Sequence, residues 1–126
     1  MPFIHIQALP FESAFDVASA IEAFSVDFAE AAGVGLEHIT VTWRWLEPGH
    51  YAVGGRSAQR QPRGSHPLLV ELVTPDFHPP ATVEKMLQVL ADSLARRTGL
   101  PVDNVFIQHR RAKAGRVFDA GQIVRW

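Results

Sequence analysis

The chain has 126 residues, of which 47% are apolar and 20% charged, so it has the composition of an ordinary folded domain with one core. Lys+Arg 12 against Asp+Glu 13 give a net charge of −1, without the basic excess that nucleic acids or anionic membranes attract. The absence of cysteine excludes disulfides and thiol chemistry. No apolar run approaches the ~20 residues of a membrane span, and Met1 to Leu9 does not resemble a signal peptide, so we expect a cytoplasmic protein.

The first half of the chain predicts a strand, a helix and a strand. Phe3 to Leu9 is a short β-rich run. Ser13 to Ala32 predicts a helix with Ser13 as its N-cap, Asp16 in its first turn and Gly33 as its stop. Ile39 to Leu46 alternates between apolar and polar residues, as a half-buried strand does. The apolar stripe of the helix comprises Ala14, Val17, Ala18, Ile21, Phe24 and Phe28.

The second half predicts the same three elements. Leu68 to Val73 is a strand, Gly99 ends a helix, and Val105 to Gln108 is the next strand. Gly54 to Ser65, between the halves, has no periodicity and predicts a surface loop. The apolar stripe of the second helix comprises Val83, Met86, Leu87, Leu90 and Leu94.

An internal repeat relates the two halves. Gly33 to Ile39 has the same glycine–apolar–acid–apolar pattern as Gly99 to Val105, an offset of 66 residues. We therefore expect a single domain over 1–126, with halves 1–55 and 67–121 joined by a linker at 56–66. Two tandem β-α-β units, each with a right-handed crossover, predict an α+β sandwich: a four-stranded sheet with two helices on one face. The uncovered face predicts oligomerisation.

Two stretches of the first half resemble a known family. The chain begins Met1-Pro2-Phe3-Ile4, and its first half ends with Gly49-His50-Tyr51-Ala52-Val53-Gly54-Gly55. Both resemble the tautomerase superfamily, in particular the 4-oxalocrotonate tautomerase type. The offset of 66 is similar to its longer members, the migration inhibitory factor and malonate semialdehyde decarboxylase types, in which two β-α-β units are fused. This resemblance implies a homotrimer.

The resemblance implies that Pro2 is catalytic. Once Met1 is removed, Pro2 carries a free secondary amine, whose pKa an apolar pocket lowers, so that it can act as a base near neutral pH. The alternative interpretation is that Pro2 only begins an edge strand. In the second half, Leu68 stands where the first half has Pro2.

The residues that bind substrate in the family are replaced here. Glu12 and Thr40 stand where the 4-oxalocrotonate type has two arginines. Asp76, Phe77 and His78 match the arginine-bearing stretch of the dehalogenase and decarboxylase branch, and His38 matches a catalytic aspartate of the decarboxylase branch. We therefore predict substrate contacts from other side chains: Tyr51, Arg44, His38, Asp76, His78, Arg111 and Arg116.

Several of these residues have a second interpretation. Tyr51 either lines the pocket or closes a small core. Asp76 either forms an acid–base pair with His78 or caps the following helix. Arg111 and Arg116 are expected to cluster with Arg110 at the end of the fourth strand. The histidines show no metal-ligand spacing, and no cofactor is predicted.

These features favour a cofactor-free tautomerase or isomerase of a small enol or 2-keto acid, with decarboxylation or hydration as sibling reactions. The alternative is a non-catalytic trimer of the same fold that binds a small ligand or a protein. A third possibility, an RNA-binding α/β sandwich, lacks the required aromatic and basic strand. In a trimer, we expect the tail at 117–126 to add a strand to a neighbouring sheet.

Overall fold

Two strand–helix–strand units follow one another along the chain, and a computed structural model describes all of residues 1–126. The elements are β1 (Phe3–Ala8), α1 (Val17–Ala32), β2 (Thr40–Trp45), β3 (Ala52–Val53), β4 (Arg56–Ser57), β5 (Leu68–Pro75), α2 (Pro80–Thr98), β6 (Val105–Ala112), β7 (Val117–Asp119) and β8 (Gln122–Val124). Single turns of 3-10 helix, Leu36–His38 and Val102–Asn104, precede β2 and β6. None of the helices combines the length and the apolar character that crossing a membrane requires.

The main sheet has four strands in the order β2-β1-β5-β6. Each β-α-β unit contributes a parallel pair, β1 with β2 and β5 with β6, and the two units join through the antiparallel pair of β1 and β5. Both helices pack on the same face of this sheet. The predicted fold class is confirmed.

The core lies between the sheet and the two helices. Alternate residues of β1 and β5 point toward the helices, because successive side chains of a strand face opposite sides. They pack against the predicted helix stripes, and the buried cluster comprises Ile4, Ile6, Ala8, Ala20, Phe24, Phe28, Leu68, Val70, Leu72, Met86, Leu90, Leu94 and Leu100. Gly33 and Gly99 end the helices at φ 69° and 77°, a conformation that costs glycine little.

Two pairs of residues separated by 66 positions meet at the centre of the molecule. His5 lies opposite Glu71 in the antiparallel pair of β1 and β5. Ser93 Oγ donates to Asp27 Oδ2 at 2.7 Å between the two helices. A local twofold axis that relates the two β-α-β units would pass through both pairs, which agrees with the offset in the sequence.

The structure corrects several predicted boundaries. The first helix begins at Val17, and its N-cap is Asp16 rather than Ser13, because the Asp16 side chain accepts from the Ser19 backbone N–H. β5 and β6 extend beyond the predicted Val73 and Gln108 to Pro75 and Ala112.

The segment predicted as a plain surface loop also has structure of its own. It contains β4, which pairs with β3. Gln61, within the same segment, is buried, and its Nε2 donates to the carbonyls of Pro62 and His66.

Candidate active site

Pro2 lies fully buried at one end of the sheet, immediately before β1. Its carbonyl accepts from the backbone N–H of Thr40 at 3.0 Å, so the pairing of β1 with β2 includes it. Phe3 lies opposite Val73, and extending that register by one residue puts Pro2 opposite Thr74 on β5, about 4.8 Å away across the strands. Pro2 has the same alternation as Ile4, so its ring faces the helices.

A buried hydroxyl and an imidazole lie beside Pro2. Thr74 is fully buried, and its Oγ1 lies 2.7 Å from Nε2 of His109 on β6 and 3.3 Å from the carbonyl oxygen of Pro75. Burial, followed by the positive charges of Arg111 and His78, lowers the pKa of His109 below its ordinary value of 6.5. The lowered pKa favours the neutral imidazole, which forms one hydrogen bond with the Thr74 hydroxyl.

Arg111 and His78 approach the same end of the sheet from two segments. Arg111 lies opposite Thr74 in the register of β5 and β6, on the helix side, although it is solvent-exposed. His78 is half-buried in the segment between β5 and α2, where its ring packs at a tilt of 47° against Phe77, with centroids 4.4 Å apart. Two of the site residues predicted from the sequence, Arg111 and His78, thus lie near His109, at the end of the sheet that contains Pro2.

Asp76 contacts neither of the groups predicted for it. Its Oδ1 accepts from Nε1 of Trp126 at 2.6 Å, so the side chain fixes the end of the chain. No hydrogen bond or ion pair joins Asp76 to His78, and the N-cap of α2 is Pro79, without a side-chain hydrogen bond. Both predicted roles of Asp76 are wrong.

The predicted cluster of Arg110, Arg111 and Arg116 does not form. Arg110 points to the open face of the sheet, because neighbouring strand residues face opposite sides, and it pairs with Glu71 at 3.2 Å. Arg116 is exposed in the turn before β7, and its nearest hydrogen-bond partner is the carbonyl of Gly115 at 3.4 Å.

Three other predicted site residues lie away from Pro2 or turn outward. Arg44 is exposed on the open face, where it lines a groove of about 760 Å³ with polar residues such as Gln7 and Gln108. Tyr51 donates from its hydroxyl to the Pro67 carbonyl at 2.8 Å, and burial raises its pKa. Its ring also packs edge-on against that of His66. Both interpretations of Tyr51, as a pocket wall and as part of a small core, stay predictions.

His38 belongs to the 3-10 turn just before β2. Its side chain is exposed and pairs with that of Glu37 at 3.5 Å. It therefore lies near the end of the sheet that contains Pro2 but faces solvent in this chain. No group of three or more His, Asp or Glu side chains converges in a way that could hold a metal ion.

The opposite end of the sheet provides an internal comparison. With the offset of 66, the positions of Pro2, Thr74 and His109 correspond to Leu68, Ala8 and Trp43, all of which are apolar or aromatic. The indole of Trp43 packs among four other aromatic rings, those of Phe11, Phe15, Phe24 and Trp45. A hydroxyl–imidazole pair on the helix side of the strands thus occurs only at the end that contains Pro2.

The sequence reasoning missed Thr74 and His109. The predicted strands ended before both residues, so their faces were not assigned. A signal was present, since Val105 and Ile107 point toward the core and His109 continues that alternation. A polar residue at an inward position of a strand requires a hydrogen-bond partner.

Comparison with solved structures identifies the fold. A crystal structure of Pt0534 inactivated by 2-oxo-3-pentynoate superimposes with a TM-score of 0.81 at 19% identity, covering 97% of this chain and 94% of the other. A fused 4-OT asymmetric trimer gives 0.79 at 14% identity, covering 97% and 95%. A macrophage migration inhibitory factor homologue from Prochlorococcus marinus gives 0.72 at 16% identity, covering 98% and 99%. The chain has the fold of these structures.

The resemblance seen in the sequence is thereby confirmed at the level of the fold. Both β-α-β units lie within this one chain, and the solved structures match it over nearly its whole length. No protein-family model and no curated protein matches the sequence.

Proposed function

We propose that the protein is a cofactor-free tautomerase or isomerase in which Pro2, after removal of Met1, transfers a proton on a small enol or 2-keto acid. The observation that carries the proposal is the position of Pro2. It is buried at the end of the sheet where Thr74, His109 and Arg111 converge, whereas Leu68 occupies the corresponding place at the aromatic end.

The surroundings of Pro2 suit a secondary amine that acts as a base. Burial disfavours the ammonium form because it removes the charge from water. The positive charge of Arg111 acts in the same direction at this end of the sheet. The amine therefore has an accessible neutral form near pH 7, which takes the proton from an enol oxygen and returns a proton to carbon to give the keto acid. One proton leaves oxygen and one is added to carbon, so no cofactor is consumed.

We assign the carboxylate of the substrate to Arg111, with His78 beside it. A guanidinium binds a carboxylate through two parallel hydrogen bonds, and Arg111 is free of any ion pair in this chain, unlike Arg110. The arginine positions of the 4-oxalocrotonate type cannot serve, since Glu12 and Thr40 occupy them. The cation is instead supplied from β6, and a substrate with one carboxylate beside its enol or keto carbon fits this arrangement.

We propose further that the protein is a homotrimer. The fused 4-OT structures that it resembles are trimers, and its own sheet leaves one face without helices. The β7–β8 hairpin exposes Phe118 and Ile123, by 70% and 46%, on a segment that pairs only with itself. In the trimer this hairpin contacts the neighbouring sheet. Sedimentation velocity at micromolar concentration is expected to give the mass of three chains, and a monomer would contradict the proposal.

Alkylation tests the amine directly. The conjugated alkyne of 2-oxo-3-pentynoate accepts an amine at its distal alkyne carbon, with the amine proton passing to the adjacent carbon. We expect protein whose intact mass shows that Met1 is absent to gain one reagent mass per chain, and peptide mapping to locate it at Pro2. The matched control carries an uncleaved amino-terminal extension, which makes the Pro2 nitrogen an amide.

The control is expected to remain unlabelled at Pro2. Equal labelling of the extended protein, or labelling at a histidine or lysine instead, would contradict the assignment of Pro2. Processed protein that takes up no reagent would favour the non-catalytic alternative, a trimer that only binds its ligand.

A further inference from the structure

We infer that Thr74 and His109 are positioning residues for the Pro2 amine: the Thr74 hydroxyl accepts a hydrogen bond from the amine, and His109 holds that hydroxyl in place. The inference rests on the proposed function, because it concerns Pro2 with a free amine. It goes further by assigning a role to two residues that neither the sequence patterns nor the catalytic proposal requires.

The hydrogen-bond inventory of Thr74 leaves room for the amine. A hydroxyl has one donor and two acceptor positions. Its two contacts, with His109 Nε2 at 2.7 Å and with the Pro75 carbonyl at 3.3 Å, leave at least one acceptor position unused. Thr74 is fully buried, so water does not fill that position. Pro2 lies opposite Thr74 on the same face of the sheet, and loss of Met1 gives its nitrogen the hydrogens that an amide of proline lacks.

Three segments at this end of the sheet carry charged or titratable groups: β6, the segment after β5 and the turn before β2. Arg111 faces His109 from β6, and His78 faces it from the segment after β5. Asp76, in that same segment, is held by Trp126. In the turn before β2, the exposed Glu37 and His38 side chains pair with each other. His109 thus faces Arg111 and His78, and no carboxylate pairs with it, so it stays available to Thr74 as a hydrogen-bond partner.

The fold does not need this polar pair. At the other end of the same sheet, Ala8 and Trp43 hold the positions that correspond to Thr74 and His109, and the sheet is formed there as well. A buried hydroxyl and imidazole cost free energy unless they are paired. At the other end, Ala8 has no polar side-chain atom, and Trp43 packs among aromatic rings although its Nε1 is buried without a hydrogen-bond partner. The presence of the hydroxyl and imidazole only beside Pro2 indicates a role in the chemistry of its amine.

The test is the pKa of the Pro2 amine, measured without substrate by NMR titration of ¹⁵N-proline-labelled protein lacking Met1. Thr74→Val removes the acceptor with little change of shape and is expected to lower this pKa by about one unit, because the ammonium form loses a hydrogen bond. Thr74→Ser retains the hydroxyl and is expected to restore the wild-type value. The pH profile of kcat/KM should shift by the same amount in each variant.

His109→Phe provides an independent variant in case Thr74→Val does not fold. It should shift the amine pKa in the same direction, and the double variant should shift it no further than Thr74→Val alone, since His109 acts through Thr74. Trp43→Phe is the matched control, because it changes the corresponding position at the aromatic end, and it is expected to leave the amine pKa unchanged.

Two outcomes would overturn the inference: an amine pKa in Thr74→Val and His109→Phe equal to that of the wild type, or an equal shift in Trp43→Phe. Failure of the proposed function is a separate result. A processed protein without catalytic activity, whose amine pKa still responds to Thr74→Val, would refute the tautomerase proposal and leave the contact between Thr74 and Pro2 established.

Discussion

Pro2→Ala is expected to lower kcat/KM for the ketonisation of phenylenolpyruvate by roughly 10²- to 10⁴-fold, the range associated with loss of a positioned general acid or base. The amino-terminal residue of the processed variant carries a primary amine on a freely rotating backbone, whereas the proline ring holds its nitrogen in one direction against the core. The ultraviolet absorbance of the enol gives the rate directly, and the intact mass of each sample must show that Met1 is absent.

Pro10→Ala is the matched control for this substitution. Pro10 follows β1 at the aromatic end of the sheet, and its nitrogen lies within the chain. We expect Pro10→Ala to retain the wild-type kcat/KM. A Pro2→Ala protein as active as the wild type would refute the proposal that the amine carries the proton.

Asp27→Asn is expected to have the largest effect on stability among the surface substitutions. The Asp27 carboxylate joins the two helices: Oδ2 accepts from Ser93 and Arg96, and Arg97 donates to both oxygens, at distances between 2.7 and 3.0 Å. The Asp27 side chain is only 13% exposed, although both guanidinium groups are largely in solvent. Allowing for that screening, we expect the free energy of unfolding to fall by about 1–2 kcal/mol at pH 7.

The pH dependence distinguishes the charge of Asp27 from its shape. The hydrogen bond from Arg97, with further contributions from Ser93 and the positive charge of Arg96, lowers the pKa of Asp27 from 3.8 to about 2 in the folded protein. A lowered folded-state pKa stabilises the protein above the unfolded-state value, and this contribution is lost as the pH falls from about 4 to about 2. The difference in the free energy of unfolding between the wild type and Asp27→Asn, measured by chemical denaturation, should therefore shrink over that interval.

Asp92→Asn is the control for Asp27→Asn. Asp92 is an exposed carboxylate on α2, with only a 3.5 Å contact from Gln88, and its substitution is expected to change the unfolding free energy by less than about 0.5 kcal/mol. If the loss of unfolding free energy in Asp27→Asn stays the same from pH 7 to pH 2, then packing, and not the ion pairs, holds the helices together at this point.

The architecture followed from the sequence wherever local periodicity determines structure. The helix stripes, the stops at Gly33 and Gly99, and the alternation of β2 are all local signals, and the offset of 66 supplied the pairing of two β-α-β units. The start of the first helix was wrong because Ser13 and Asp16 are both good N-caps. Tertiary contacts favour the later start, since Phe15, between the two, packs against Trp43.

The candidate site was only partly predictable, because half of it depends on register. Pro2, Arg111 and His78 have chemistry that is visible from residue type alone. The pairing of Thr74 with His109 depends on β5 and β6 running two and four residues beyond the predicted ends, so that side chains 35 positions apart in the chain meet. Asp76 was misassigned for the same reason, since its partner Trp126 is distant in sequence.

The unequal ends of the sheet agree with the proposed role of Pro2 and with the covalent continuity of the polypeptide. A proline serves as an amine base only where no peptide bond precedes it, and a chain has one such position. The second β-α-β unit begins at Leu68, joined to Pro67, so even a proline placed there would carry an amide nitrogen with no basicity. Fusion of two units into one chain therefore leaves room for a single amine, and the second end is free to evolve as a packing element. In this chain, the aromatic rings around Trp43 occupy the second end of the sheet.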